Sequence, residues 1–231
     1  VPAIWVMVVE NRFFHTPETP SGPRLRMVHW NVCRGWIGWE ALQKRMRDER
    51  PDLCVISEFP TEAKVSETTT NFGEDWSGMD LGGMAVIAKG KLVHREWLSQ
   101  RDGVKACGVV WDSPQGACRV MAVDLDSSLL IPRGPRLEKV RRLMEDWKPD
   151  LVVGDFNAPR RSIGLDPLPE GFSHAYDKAG SGWSYTWPVP FPCYAIDQCM
   201  TGKQVVALRY EIERSFRSDH RMQVLGFQIA L

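Results

Sequence analysis

The sequence predicts a layered α/β fold built from two related halves, and three observations carry that expectation. A strand, loop, helix, strand order occurs twice, a Pro-Asp pair breaks the chain after each helix, and short polar clusters stand at the ends of apolar runs. In the first half Leu25 to Trp30 reads as a strand ending at Asn31. Trp39 to Glu49 then carries Leu42 and Met46 at helical spacing with Arg and Lys on the other face, Pro51-Asp52 breaks it, and Leu53 to Ile56 is again a strand. The second half repeats this with strand Val120 to Val123, helix Arg136 to Trp147, the break Pro149-Asp150 and strand Leu151 to Val153.

Between the halves, Gly83 to Ala88 and Val104 to Trp111 read as strands, and Asp112-Ser113-Pro114-Gln115-Gly116 as a hairpin turn into Val120. A Gly- and Pro-rich stretch follows Asn157, and three closing strands are expected at Cys193 to Met200, Val205 to Ile212 and Met222 to Ile229. No low-complexity run or heptad pattern divides the chain. The expected organisation is an N-terminal segment and linker over residues 1–24 and one domain over residues 25–231. The apolar stretch Val1 to Val9 is too short to span a bilayer. It reads equally as an edge strand or as the stub of a removed signal or membrane segment, the second reading implying an extracytoplasmic or membrane-anchored location.

With 231 residues, 43 % of them hydrophobic, the composition is that of an ordinary globular protein. Basic and acidic residues balance at 29 each, so no global field attracts a long polyanion and any phosphate-binding region must be local. The six cysteines show neither CxxC nor zinc-like spacing. Cys33, Cys54, Cys107 and Cys118 lie in apolar runs and read as small core residues, with bridges Cys107–Cys118 and Cys193–Cys199 left open.

The chemistry is concentrated at strand ends. Trp30-Asn31, Ile56-Ser57-Glu58, Val153-Gly154-Asp155-Phe156-Asn157 and Arg217-Ser218-Asp219-His220 bring carboxylates, amides and an imidazole to such positions, as metal-assisted phosphoester hydrolysis requires. Asp155 and Asn157 alternate across Phe156, so an extended segment points both to one face. His15, His29, His94 and His174 have no comparable company.

Taken in order, Trp30-Asn31, Ser57-Glu58, Gly154-Asp155-Phe156-Asn157, Tyr185-Thr186-Trp187, Ile196-Asp197 and Ser218-Asp219-His220 resemble the endonuclease/exonuclease/phosphatase superfamily, the deoxyribonuclease I-like metal-dependent phosphoesterases. The resemblance runs from about Leu25 to the end of the chain. It implies a four-layer sandwich of two facing β-sheets flanked by helices, with the site at one end. It implies further that Glu58, supported by Asn31 and Asp219, holds Mg²⁺ or Mn²⁺. Asp155 would orient or deprotonate the attacking water, Asn157 would donate to a phosphoryl oxygen, and His220 would meet the phosphate with Asp197 on its other ring nitrogen.

One position departs from the family pattern. Asp124 stands where many members carry His or Tyr at a strand end, and a carboxylate there repels phosphate unless protonated or facing a metal. Arg133 and Arg136 downstream offer phosphate contacts in its place, against a reading as a solvated helix start. Trp36, Trp39, Trp183, Tyr185 and Trp187 surround the expected mouth, Trp187 being the substrate-contact candidate, and Arg160-Arg161 with Arg141-Arg142 offer a local basic patch. The leading expectation is a nuclease-type phosphodiesterase acting on DNA or RNA by in-line attack of water. A phospholipid or inositol-phosphate headgroup is the first alternative and a non-catalytic binder of phosphorylated ligands the second. No obligate protein partner is evident.

Overall fold

The computed structural model describes residues 10–16, 24–128 and 130–230. The elements in chain order are β1 (Leu25–Asn31), a 3₁₀ turn (Cys33–Gly35), α1 (Trp39–Asp48), β2 (Leu53–Ser57), α2 (Val65–Thr70), β3 (Trp76–Asp80) and β4 (Met84–Lys89). Then come β5 (Lys91–Arg101), β6 (Val104–Ser113), β7 (Gly116–Leu125), α3 (Arg133–Trp147), β8 (Leu151–Asp155), β9 (Ser173–His174), α4 (Ala175–Ala179), β10 (Asp197–Thr201), β11 (Val205–Glu213) and β12 (Met222–Ile229). They form two six-stranded sheets, ordered β11-β12-β1-β2-β4-β3 and β5-β6-β7-β8-β10-β9.

Each sheet is built around one parallel pair with a crossover helix, β1–α1–β2 in the first and β7–α3–β8 in the second, and the remaining pairings are antiparallel. The repeated Pro-Asp break has the same physical role in both halves. The Asp52 carboxylate accepts from the Arg26 backbone N–H at 2.9 Å, and Asp150 accepts from that of Arg119 at 2.8 Å. Their carbonyls accept from Lys89 and Gly202, each at 2.8 Å, so one Asp stitches three strands together where a helix hands over to a strand.

The strands' period of two separates three apolar layers. Met27, Leu53, Val55, Val86, Val109, Val120, Ala122 and Val153 meet between the sheets. Val28, Trp30 and Ile56 turn outward onto Leu42 and Met46 of α1, whereas Met121, Val123 and Val152 turn onto Leu137, Val140 and Met144 of α3. Each fully buried side chain of this size contributes about 1.5–3 kcal/mol. The order helix, sheet, sheet, helix is the expected four-layer sandwich.

Several expectations are corrected. β3, β5 and α2 escape sequence reading. β3 and β5 are sheet edges with mixed exposure, and β5 carries Lys91, His94, Arg95 and Glu96 in place of a clean alternation. The strand expected from Cys193 begins only at Asp197, because the backbone N–H groups of Cys193 and Tyr194 turn back to the Trp187 carbonyl, both at 2.9 Å. All six cysteines are free thiols, so neither bridge is formed. Asn11, in the N-terminal segment, is buried and accepts from the Ser184 backbone N–H at 2.9 Å. The strand expected over Val1 to Val9 lies outside the described residues.

Candidate active site

Strand directions gather the polar clusters at one end. β1, β2, β7 and β8 finish there, and β10 and β12, antiparallel to β8 and β1, start there. In register Asp155 stands between Asp124 on β7 and Asp197 on β10, while Asn31 lies opposite Ser57 in the facing sheet. Gly154 permits this closeness, since a Cβ there would sit 1.8 Å from the Val123 carbonyl oxygen. Glu58 and Asn157, each just past its strand, take left-handed φ values of 50° and 47°. Backbone of that kind in non-glycine residues is uncommon and concentrates at functional sites.

His220 is the hub. Its Nδ1 donates to Asp197 Oδ2 at 2.8 Å, and its Nε2 lies 3.8 Å from Asp155 Oδ2. Burial alone would lower the imidazole pKa, but Asp197, its hydrogen bond and Asp155 more than offset that and raise it to about 9. Asp197 is held ionised, since the His220 charge and hydrogen bond outweigh its own burial. Asp155 moves the other way, pushed up by burial and by Asp197 across the strand pair. The site thus holds an imidazolium between an ionised carboxylate and one inclined to take a proton.

Asn31 joins the sheets. Its Oδ1 accepts from the Cys33 backbone N–H at 3.0 Å, which fixes the amide orientation, and its Nδ2 donates to Glu58 Oε1 at 3.2 Å and Asp155 Oδ2 at 3.0 Å. Asp219 accepts from Trp187 Nε1 at 3.0 Å, and Ser218 donates to the Asn31 carbonyl at 2.7 Å. Cys33, expected in the core, is half-exposed beside this pair, and burial together with Asp219 and Glu58 raises its thiol to about 11. Two carboxylates that both press on one thiol, with Arg34 at 3.9 Å offsetting Glu58, leave local negative charge of the kind a hard cation neutralises. Asp155, Asp197 and His220 also bring ligand atoms within 4.8 Å of one another, but they are paired mainly with each other.

Behind Asp197 lies a layer that the sequence did not reveal. Gln223 Nε2 donates to the Asp197 carbonyl at 2.7 Å, so Gln223 Oε1 accepts from His29 Nδ1 at 3.0 Å, and His29 Nε2 accepts from the Ser57 hydroxyl at 3.1 Å. His29, which had no company in the sequence, is fixed as a neutral tautomer, and its burial favours that form. Thr186 Oγ1 accepts from the Ile196 and Asp197 backbone N–H groups at 3.2 and 3.3 Å.

Asp124 is raised to about 6 by burial, with Lys105 opposing and Glu58 adding to the shift. Lys105, its partner across the β6–β7 pair, reaches toward Gly83 of the facing sheet, 3.6 Å from where a Cβ there would lie. The signal for it was its place as a lone cation inside the apolar run Val104 to Trp111. The Asn157 backbone N–H donates to Asp155 Oδ1 at 2.8 Å, and its side chain donates to the Leu125 carbonyl at 2.7 Å. Arg133 donates to the Asn157 carbonyl, securing that loop. Arg136 is not a solvated helix residue: it is buried and donates to the Asp126 carbonyl at 2.6 Å. Arg160 is likewise buried, ion-paired with Asp177, while Arg141 and Arg142 pair with Glu145 and Glu138 on the α3 surface, so no common basic patch forms.

A family model described as Endonuclease/Exonuclease/phosphatase family matches residues 28–220, and the chain belongs to that family of phosphoester hydrolases. Among solved structures, an endonuclease/exonuclease/phosphatase family protein from Bacteroides thetaiotaomicron superposes with a TM-score of 0.73 at 15 % identity, covering 94 % of this chain and 100 % of that one. Zebrafish (D. rerio) TDP2 complexed with single-strand DNA product gives 0.66 at 15 %, covering 90 % and 100 %. The human nocturnin catalytic domain with bound sulfate gives 0.67 at 15 %, covering 90 % and 94 %. At these identities the likeness establishes the deoxyribonuclease I-like fold. No curated protein matches the sequence.

Proposed function

We propose that the chain is a divalent-metal-dependent phosphodiesterase acting by in-line attack of water, and the observation that carries this is the Asp155–His220–Asp197 arrangement at the meeting of the two sheets. Asp155, with its raised proton affinity, takes a proton from the attacking water as the new P–O bond forms and the bond to the leaving oxygen breaks. His220, held as an imidazolium by Asp197, offers Nε2–H to a phosphoryl oxygen whose charge grows in the transition state. Asn157 keeps a second amide hydrogen free of the Leu125 carbonyl for the same purpose. Glu58 and Asp219 would hold Mg²⁺ or Mn²⁺, with Asn31 aligning Glu58 beside Asp155; when bound, such an ion neutralises phosphate charge.

The test is hydrolysis of bis-p-nitrophenyl phosphate with Mg²⁺, Mn²⁺ or EDTA, for wild type and His220→Ala. Metal-dependent turnover that falls by about 10²–10⁴ in the variant is the expected result. Turnover in EDTA, or full activity in the variant, refutes the assignment. For the nuclease-type substrate, support comes from the Trp187 and Tyr194 rings, 6.2 Å apart beside Asp219 and suited to bases, and from the DNA product held by the zebrafish relative. A lipid-borne phosphoester is supported by a different feature of the same face.

A further inference from the structure

The large apolar side chains left in solvent are not scattered. Trp36 and Ile37 follow β1, Leu130 and Ile131 follow β7, Ile163 follows β8, Trp183, Phe191 and Tyr194 precede β10, and Phe216 precedes β12. All these loops leave the sheets at the end that holds His220. Phe13 joins them, its ring centroid 5.8 Å from that of Trp183. Among the described residues, Val93 and Val206 of the exposed large hydrophobics lie within strands away from this rim, and Phe14, 78 % exposed, follows Phe13 in the chain. Exposure is extreme at the tips: Leu130 is 94 % exposed, Ile163 89 %, Trp36 85 % and Phe216 72 %. Ile131 and Ile163 are brought to one side by the close approach of Gly134 and Gly164, where a Cβ on Gly164 would meet the Gly134 carbonyl at 2.4 Å. A concentration of apolar surface of this kind marks an interaction site.

The occupant follows from which residues are exposed and what stands beside them. Four of the five loops pair an apolar tip with an arginine one or two positions away: Arg34 with Trp36, Ile131 with Arg133, Arg161 with Ile163, and Phe216 with Arg217. Arg34 and Arg161 are shared with Glu58 and Asp177, and Arg133 with the Asn157 and Ser127 carbonyls. That pairing suits the boundary of an anionic bilayer, where apolar tips enter the acyl region and guanidinium groups stay at the phosphates. A single-stranded nucleic acid would also welcome Arg and Trp, but Ile37, Leu130, Ile131 and Ile163 have no π-face on which a base could stack. We infer that this rim is a membrane-docking face that seats the site on an anionic phospholipid surface, so that the phosphoester reaching His220 belongs to a lipid headgroup. Docking is a property of the rim, and only the headgroup assignment rests on the phosphodiesterase reading.

The experiment is cosedimentation of the full chain with unilamellar vesicles of phosphatidylcholine plus phosphatidylserine in EDTA, for wild type, Trp36→Ser, Ile163→Ser, Phe216→Ser and the triple variant. Wild type is expected to pellet, each single change to weaken partitioning by about tenfold, as loss of one buried large apolar side chain implies, and the triple variant to stay in the supernatant. These side chains are solvent-exposed, so the variants retain the wild-type melting temperature. Wild type left in the supernatant, or variants that pellet as well as wild type, overturns the inference. So does a rim-dependent loss of oligothymidylate binding or of self-association without vesicle binding. Bis-p-nitrophenyl phosphate turnover, measured in parallel on wild type without vesicles, decides the phosphodiesterase reading separately, and the rim variants are expected to keep it.

Discussion

At the scale of single residues, the site divides protons unequally among three buried groups. Asp197→Asn keeps the shape but removes the charge that holds the His220 imidazolium. Phosphodiester turnover is expected to fall by about 10²–10⁴, and the imidazole pKa, followed by NMR, to drop from its raised value. An unchanged titration would show that Asp197 does not set the charge state of His220. Asp124 gives a pH prediction with a definite sign. Its folded pKa of about 6 lies above that of an unfolded aspartate, so the folded state binds more protons and stability declines as pH rises through that interval. Asp124→Asn should therefore stabilise the metal-free protein above pH 6 by about 1–2 kcal/mol and leave it unchanged at pH 4, as thermal melts in EDTA would report.

Legibility in the sequence follows the same scale. Asp155 with Asn157, and Asp219 with His220, stand out in the sequence because each pair of polar residues lies close together at a strand end, although their partners Asn31, Leu125, Trp187 and Asp197 come from elsewhere in the chain. Asp197 was readable through its strand end. Lys105 and His29 were not, because each is a single polar residue in an apolar run whose partners come from another strand or the facing sheet, and Cys33 was not, because the carboxylates that act on it, Asp219 and Glu58, are distant in the chain. Arg136 misled for the converse reason: a cation at a helix start looks solvated until the preceding loop folds over it.

At the scale of elements, the Pro-Asp repeat was the sequence signal that proved most informative, since it marks the same three-strand stitch in both halves. Edge strands β3 and β5 were invisible because an edge has only one neighbour to satisfy and carries charge against aggregation. Asp52→Ala and Asp150→Ala each strand a backbone N–H and should cost about 1–3 kcal/mol in urea unfolding, with no change in melting cooperativity. Gly154→Ala should cost more, at least about 2 kcal/mol, because its Cβ meets backbone that cannot turn aside. If that variant is as stable as wild type, the β7–β8 approach is looser than described.

At the scale of the whole molecule, the sandwich places a polar site and an apolar rim on one end while its three apolar layers hold the rest. Turnover on a soluble ester and binding to vesicles should then be separable by mutation, with His220→Ala losing the first and the rim variants losing the second. The Asn31 amide adds a consequence of another kind. Its two hydrogen bonds reach Glu58 in its own sheet and Asp155 in the other, so the working constellation comes into being only when the sheets have docked. Hydrolysis is thereby a readout of completed assembly, and a newly made chain whose halves have not yet met is chemically silent.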